Sequence, residues 1–326
     1  MNHDLKPLRR LCGALAACAL FAGGAAQAAY PDKPIKMLVA FVPGGGTDVV
    51  ARLMSKSLTQ RFNQSVYVEN HGGAGGNLGT DIAVHSTPDG YTLLMGNIAP
   101  NAINVSIYKN LSYDPARDLA PITLVAMTPN MLVVNPSLPV NSVKELIALA
   151  KSRPNKLDYP SAGRGTSSHL AGELFDAMAG VHMTHVPYKG GGAAMADTLS
   201  GQVQVFFATM PAAIGHVKAG KLRALAVTSE KRSLALPDLP TIGETLPGYS
   251  AITWYGLYAP RNTPRDIIDR LNREITQIVN EPAMRAQMIA LGFEPQPNTP
   301  EEFGAFIKEE IVKWGKVAKT AGIEPE

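Results

Sequence analysis

The chain has 326 residues, a formal net charge of +3, 6% aromatic residues and two cysteines. A charge so near neutral provides no basic field for nucleic acid and no polybasic patch for lipid headgroups. So few aromatics provide no stacking platform for single strands.

Residues 1–28 are expected to be an export signal. Lys6, Arg9 and Arg10 make a positive start, Leu11 to Gly24 an apolar core, and Ala26-Gln27-Ala28 an A-x-A cleavage site. Both cysteines, Cys12 and Cys18, fall inside it. The mature chain is then expected to lack disulfides, thiol nucleophiles and thiolate-bound metals. Leu15-Ala16-Ala17-Cys18 offers an alternative, lipidation at Cys18, but the apolar core continues through Ala19-Leu20-Phe21-Ala22. After residue 29 nothing approaches the ~18 consecutive apolar residues of a membrane span, and the expected location is the periplasm.

From there, short apolar runs alternate with helical patterns, which predicts an α/β architecture with largely parallel sheets. Strands are expected at 35–41, 66–70, 92–96, 122–127, 131–135, 157–161, 183–187, 203–207, 222–228 and 252–258. Helices are expected at 48–62, 76–86, 142–153, 167–180, 191–200, 211–219, 263–279, 281–291 and 299–320. Thr263-Pro264 and Thr299-Pro300 each read as a Thr N-cap followed by Pro at the first helical position. The three C-terminal helices have hardly any strand between them and are expected to pack back on the first part of the chain. The predicted layout is a first lobe of residues 29–129 plus 252–326 and a second of 130–251, with a ligand cleft between them.

Two strand-to-helix turns stand out, Gly44-Gly45-Gly46-Thr47-Asp48 and Gly163-Arg164-Gly165-Thr166-Ser167. Each glycine turn opens a helix, where unpaired N–H groups and the helix dipole make an anion site. Two such turns facing one carboxylate predict a two-lobed carboxylate receptor. Thr47 or Asp48 is the expected cap of the first helix, and Phe41 the expected pocket wall. A third turn, His185 to Gly192, adds Tyr188 and Lys189 as candidates. Asn97, with Asn101, offers amide contacts, and Ala208 and Thr209 a pocket floor. Trp254-Tyr255 is equally compatible with core and with pocket.

Other chemistries fit poorly. Gly73-Ala74-Gly75-Gly76-Asn77-Leu78 has Leu78 where a dinucleotide fingerprint needs its third glycine. His182 and His185, three apart on a strand, point to opposite faces, so a metal site with His169 is not expected. Ser167 or Ser168 with His169 is the hydrolase alternative, but no G-x-S-x-G elbow occurs.

These segments, taken together, resemble the substrate-binding proteins of tripartite tricarboxylate transporters, the Bug receptors. The resemblance rests on Tyr30-Pro31-Asp32-Lys33-Pro34-Ile35, Val42 to Asp48, Gly73 to Gly79, His169 to Phe175, His185 to Gly190 and Lys218 to Thr228. It implies a type II-like periplasmic binding protein: two lobes, each a mixed, mostly parallel sheet flanked by helices, closing on an organic acid. It also implies that one carboxylate is held by Phe41 to Asp48 and Ser161 to His169, largely through backbone groups and ordered water. The expected ligand contacts are therefore Phe41, Gly44, Gly45, Gly46, Thr47, Asp48 and Asn97 from the first lobe. Ser161, Gly163, Gly165, Thr166, Ser167, His169, Tyr188, Lys189, Ala208 and Thr209 come from the second.

The expected function is capture of a small carboxylate without turnover, and its delivery to a membrane permease. The expected receptor is a monomer without cofactor or metal. A ligand sensor for a membrane kinase is the alternative within binding, and an exported serine hydrolase the alternative outside it.

Overall fold

The computed structural model describes residues 30–320 and 325. The export-signal reading of residues 1–28, with Cys12 and Cys18, lies outside the described residues. The fold below is that of Lys33–Glu326.

Strand β1 (Ile35–Val39) is buried almost throughout, as a strand covered on both faces must be. A glycine turn leads into α1 (Gly46–Phe62), which ends at Asn63 in the left-handed conformation common after helix C-termini. Then come β2 (Val66–Asn70), α2 (Asn77–Val84) and β3 (Thr92–Asn97); β2 and β3 flank β1, both parallel to it. A π-helical turn at Ala99–Ile103 runs into the short helices α3 (Asn104–Ile107) and α4 (Pro115–Asp118). Sequence periodicity did not announce these short segments.

Strand β4 (Leu119–Val134) is a single strand of 16 residues where two were expected. Thr128-Pro129-Asn130 reads as a break, but bonds to distant parts of the chain carry it through. Thr128 Oγ1 donates to Gly292 O (2.6 Å), and Asn130 N donates to Thr228 Oγ1 (2.7 Å). The strand changes partners there: Pro129 lies opposite Ile252 and Asn130 opposite Thr209.

Next in order are α5 (Val143–Ser152), β5 (Asp158–Ser161), α6 (Ser167–Ala179), β6 (Thr184–Pro187) and α7 (Gly191–Ser200). They are followed by β7 (Val205–Thr209), α8 (Met210–Lys218) and β8 (Arg223–Val227). The chain returns through β9 (Ile252–Pro260) and ends in α9 (Arg265–Asn280), α10 (Pro282–Ala290), β10 (Glu294–Pro295) and α11 (Pro300–Thr320).

The main sheet runs β10-β4-β9-β3-β1-β2, with β7 and β8 joined to the far half of β4, while β5 and β6 form a separate parallel pair. The sheets are thus mixed. Between the named strands, parallel pairing is seen at β1–β2, β1–β3 and β5–β6, and each strand paired with β4 or β9 is antiparallel to it. These are the two strands that carry the chain between the sheet halves in opposite directions.

Alternation along β4 feeds two cores. Leu132 and Val134 pack with Tyr159, Phe175 and Phe207, whereas Met131 and Val133 pack with Phe206, Met210 and Ile214. A third core joins Leu38 and Leu94 to Trp254, Tyr258, Phe303 and Ile307, so α11 closes over the β1–β3–β9 side. Each such large buried side chain contributes about 1.5–3 kcal/mol. Trp254 Nε1 also donates to the buried Glu310 on α11 (2.9 Å). At the start of α11, Thr299 is the expected N-cap, and Glu302 completes a reciprocal pair with it. Thr263 does not cap α9; its hydroxyl donates back to Pro260 O (2.8 Å), and the helix starts at Arg265.

Candidate functional site

Four helix N-termini converge on one cavity of about 40 Å3. α1 contributes Gly45, Gly46 and Thr47, and α6 contributes Thr166, Ser167 and Ser168. Gly191 lies at the start of α7, and Thr209 and Ala212 at the start of α8. Phe41, Phe206, Thr253, Tyr255, Asn97 and Ala162 complete the lining.

First-turn amides have no intrahelical acceptor, and each helix end carries roughly half a positive charge. None of the lining residues is Lys, Arg or His. Any positive potential in the cavity therefore comes from oriented backbone, which suits an anion without a formal cationic partner. A cavity needs roughly 10–15 Å3 to hold one water and about 150 Å3 to hold benzene, so this space suits a few waters or a headgroup, and a whole multi-carbon acid needs the walls to move apart. A larger groove of about 590 Å3, bordered by Leu119, Pro121, Ile268 and Gly304, includes none of these four helix starts in its lining.

Neither of the two expected threonines caps its helix through its side chain. The N-cap of α1 is Gly45, and Thr47 Oγ1 accepts from Asn97 Nδ2 (3.0 Å). Thr166 stands at the N-cap position of α6, but its hydroxyl donates to Gly163 O (2.6 Å) and lies 3.0 Å from Ser168 Oγ. Both helix starts are left unplugged. Ser167 Oγ donates to Asn130 Oδ1 (3.3 Å), which ties α6 to the crossing strand.

The structure brings Phe41, Gly45, Gly46, Thr47, Asn97, Thr166, Ser167 and Thr209 to the cavity wall. The other expected residues stand behind it. Gly44 faces Gly192, and its amide donates to Asp48 Oδ2 (3.1 Å). Asp48 is consumed by the protein: it also accepts from Arg52 Nε (2.9 Å) and Asn70 Nδ2 (3.0 Å). Burial acts to raise its pKa, but these bonds outweigh burial and hold it below the ordinary carboxylate value.

Ser161 is fully buried, with its Oγ accepting from Gly163 N and lying 2.6 Å from His185 Nε2. His169 Nδ1 accepts from Gly165 N (3.2 Å), so its proton sits on Nε2, 3.6 Å from Glu173 Oε1. The His169 ring stacks on His185 at 4.1 Å. Burial, with Arg164 nearby, pushes His169 down to about 4, and burial together with His169 does the same to His185. Tyr188 donates to Asp197 (2.6 Å), Lys189 is exposed, and Ala208 is core on β7. Asn101 is fully buried and does not line the cavity.

Neither Ser167 nor Ser168 has a hydrogen bond to His169 among the described residues. His182 is largely exposed and lies by Asp176. No group of three or more His, Cys, Asp or Glu among the described residues is arranged to hold a metal ion.

Gly191, Phe206, Ala212 and Thr253 were not foreseen as ligand contacts, and the sequence leaves Tyr255 even between core and pocket. Strand alternation tells that Trp254 and Tyr255 face opposite sides, and the structure decides which: Trp254 joins the core and Tyr255 the cavity.

Glycines also form the seam around the cavity. Gly44 and Gly45 abut Gly192 and Gly191, and Gly75 abuts Gly163 and the Arg164 carbonyl. A Cβ on Gly75 would lie 2.5 Å from Arg164 O. The Gly73–Gly76 cluster is thus a backbone contact surface.

Comparison with known proteins places this geometry. A family model described as the tripartite tricarboxylate transporter family receptor matches residues 50–323. Protein BugT of Bordetella pertussis is 38% identical over 321 residues, covering 98% of each chain. The solved structure of R. palustris Rpa4515 with adipate superposes with a TM-score of 0.89 at 38% identity, covering 91% of this chain and 100% of that one. MatC (Rpa3494) from Rhodopseudomonas palustris with bound malate gives a TM-score of 0.83 at 30% identity, over 88% of this chain and 99% of that one.

Proposed function

This chain belongs to the tripartite tricarboxylate transporter receptor family, and from that premise we propose that it captures a small organic carboxylate between its lobes and hands it to the transporter's membrane permease. Family membership implies a periplasmic place of work. In this reading residues 29–129 with 252–326 make one lobe and 130–251 the other. The partner change of β4 between Pro129 and Asn130 supports that division.

The observation that carries the proposal is the meeting of four helix N-termini from both parts of the chain on one cavity without a cationic side chain. Thr47 and Thr166, with the amides beside them, grip the carboxylate. A Kd near 1 μM, taken as a working value, corresponds to about −8 kcal/mol. Charge-assisted hydrogen bonds of roughly 1.5–3 kcal/mol each reach that scale without a salt bridge. The relatives' acids, adipate and malate, set the size of ligand to try first.

Capture proceeds without turnover, and one chain suffices as a monomer. The lack of a hydrogen bond between His169 and either nearby serine supports the first, and the completeness of the cavity within one chain supports the second. A thermal-shift screen of the purified protein against organic acids is the test. An acid at 100 times its Kd adds about 2.7 kcal/mol of stability. A stabilising response to neutral or cationic solutes, with none to any carboxylate, overturns the proposal.

A further inference from the structure

Tyr255 lies on β9 with 1% of its surface exposed, and its ring packs edge-on against Phe293 at 5.7 Å. Its hydroxyl makes no hydrogen bond of good geometry among the described residues. Several other buried polar atoms share that condition, but of those residues only Tyr255 lines the cavity. The hydroxyl stands where α1 and α8 begin. A Cβ built on Gly46, the first residue of α1, would be 2.3 Å from Tyr255 Oη and 2.7 Å from Thr209 Oγ1 at the start of α8. Burial keeps the phenol protonated, with its pKa pushed up from the ordinary value, and the Thr209 hydroxyl beside it is close enough to pull that pKa down slightly against the effect of burial. A threonine that lowers a phenol's pKa does so as the donor, which leaves the Tyr255 proton available to an acceptor in the cavity.

The carboxylate gripped between α1 and α6 leaves the starts of α7 and α8 unused, and these look into the same cavity. Resting on the receptor reading above, we propose that Tyr255, beside Thr209, is a specificity-determining residue that donates to a second acceptor oxygen of the ligand. The receptor then prefers diacids to monoacids of the same length. A buried hydroxyl satisfied by a diacid is left unpaired by the monoacid, and a site built to hydrogen-bond a group rejects the analogue that lacks it.

The experiment is calorimetric binding of three matched pairs, succinate with butyrate, glutarate with pentanoate and adipate with hexanoate, to the wild type and to Tyr255→Phe. The wild type is expected to favour the diacid of its best pair by about 10- to 100-fold. Tyr255→Phe is expected to collapse that preference to within a few-fold while leaving the monoacid's affinity unchanged or improved. Without ligand the variant is expected to melt at the wild-type temperature or above it, since the hydroxyl it loses makes no hydrogen bond of good geometry. An unchanged diacid preference in Tyr255→Phe overturns the inference, as does an equal loss of affinity for both members of each pair. Those outcomes leave the receptor reading standing. If neither protein binds any of the acids, the receptor reading fails and takes this inference with it.

Discussion

Gly192 and Pro43 touch across the seam: a Cβ built on Gly192 would stand 1.8 Å from the Pro43 carbonyl oxygen. Gly192 is the second residue of α7, where a glycine costs helix stability and alanine is the better residue. Nothing in its own helix demands glycine. The demand comes from the turn that precedes α1. Gly192→Ala is therefore expected to force the two turns apart, lowering the melting temperature and weakening carboxylate binding at least about 10-fold, because the backbone of the Pro43 turn has no room for the added Cβ. Small-angle scattering with saturating ligand is expected to show a larger radius of gyration than the wild type. Gly215→Ala on α8, where an added Cβ meets nothing within 4 Å, is the control. Wild-type affinity in Gly192→Ala would contradict this account of the seam.

Thr47 and Thr166 line the cavity from two helix starts. Thr47→Leu or Thr166→Leu fills a space of about 40 Å3 and removes a hydroxyl. Carboxylate affinity is expected to drop by roughly 100-fold or more in each, about 2.7 kcal/mol, with cooperative unfolding retained. Titration calorimetry and urea melts check the two halves. Unaltered affinity in both variants removes these turns from the site.

Asp48 is a brace, and its loss is expected to act on stability first. Asp48→Ala removes the acceptor of the Gly44 amide and one acceptor each from Asn70, which keeps Phe41 O, and from Arg52, which keeps Asn70 Oδ1. A loss of about 1.5–3 kcal/mol is expected from the lost hydrogen bonds to the buried, charged Asp48 carboxylate, read as a lower urea midpoint at unchanged m-value. A ligand-contact role predicts the reverse: lost binding at wild-type stability.

Stability is expected to fall on acidification below about pH 6.5. His169 and His185 are held neutral, pushed down to about 4, while the unfolded chain titrates near 6.5. Their contribution is whole above 6.5 and disappears as pH drops towards 4. Asp176 works the other way: burial raises it to about 6, so its contribution is whole below about 3.8 and is lost as pH climbs through 6. Two imidazoles outweigh one carboxyl, and near pH 5 the net loss is of order 1 kcal/mol per pH unit. A melting temperature several degrees lower at pH 5 than at pH 7 checks this, and His169→Gln with His185→Gln is expected to flatten the slope. An equal melting temperature at both pH values refutes it.

The regular elements were legible because their periods are local. Alternating burial along β4 and the i, i+3, i+4, i+7 spacing of Ile268, Leu271, Ile275 and their neighbours in α9 are written in neighbouring residues. Thr128-Pro129-Asn130 misled, because the partners that carry the strand through, Gly292 and Thr228, are more than ninety positions away. The glycine turns announced helix starts, but not which of their residues face the cavity. Asp48, Ser161 and His169 carry the polar chemistry a site invites, and local hydrogen bonds hold each of them behind the wall.

By itself the amino-acid order determined where strands turn through glycine into helices, and hence that helix-start amides are on offer to an anion, while it also put Lys189 among the expected contacts, which the cavity lining lacks. Only the tertiary structure decided that four of these ends share one cavity, that Tyr255 joins them while Trp254 does not, and that Gly192 is a glycine on account of Pro43. The physical reason is range. A helix start is set by a handful of consecutive dihedrals, whereas a close approach between turns about 150 residues apart is set by how the two sheet halves pack, and no local pattern encodes it.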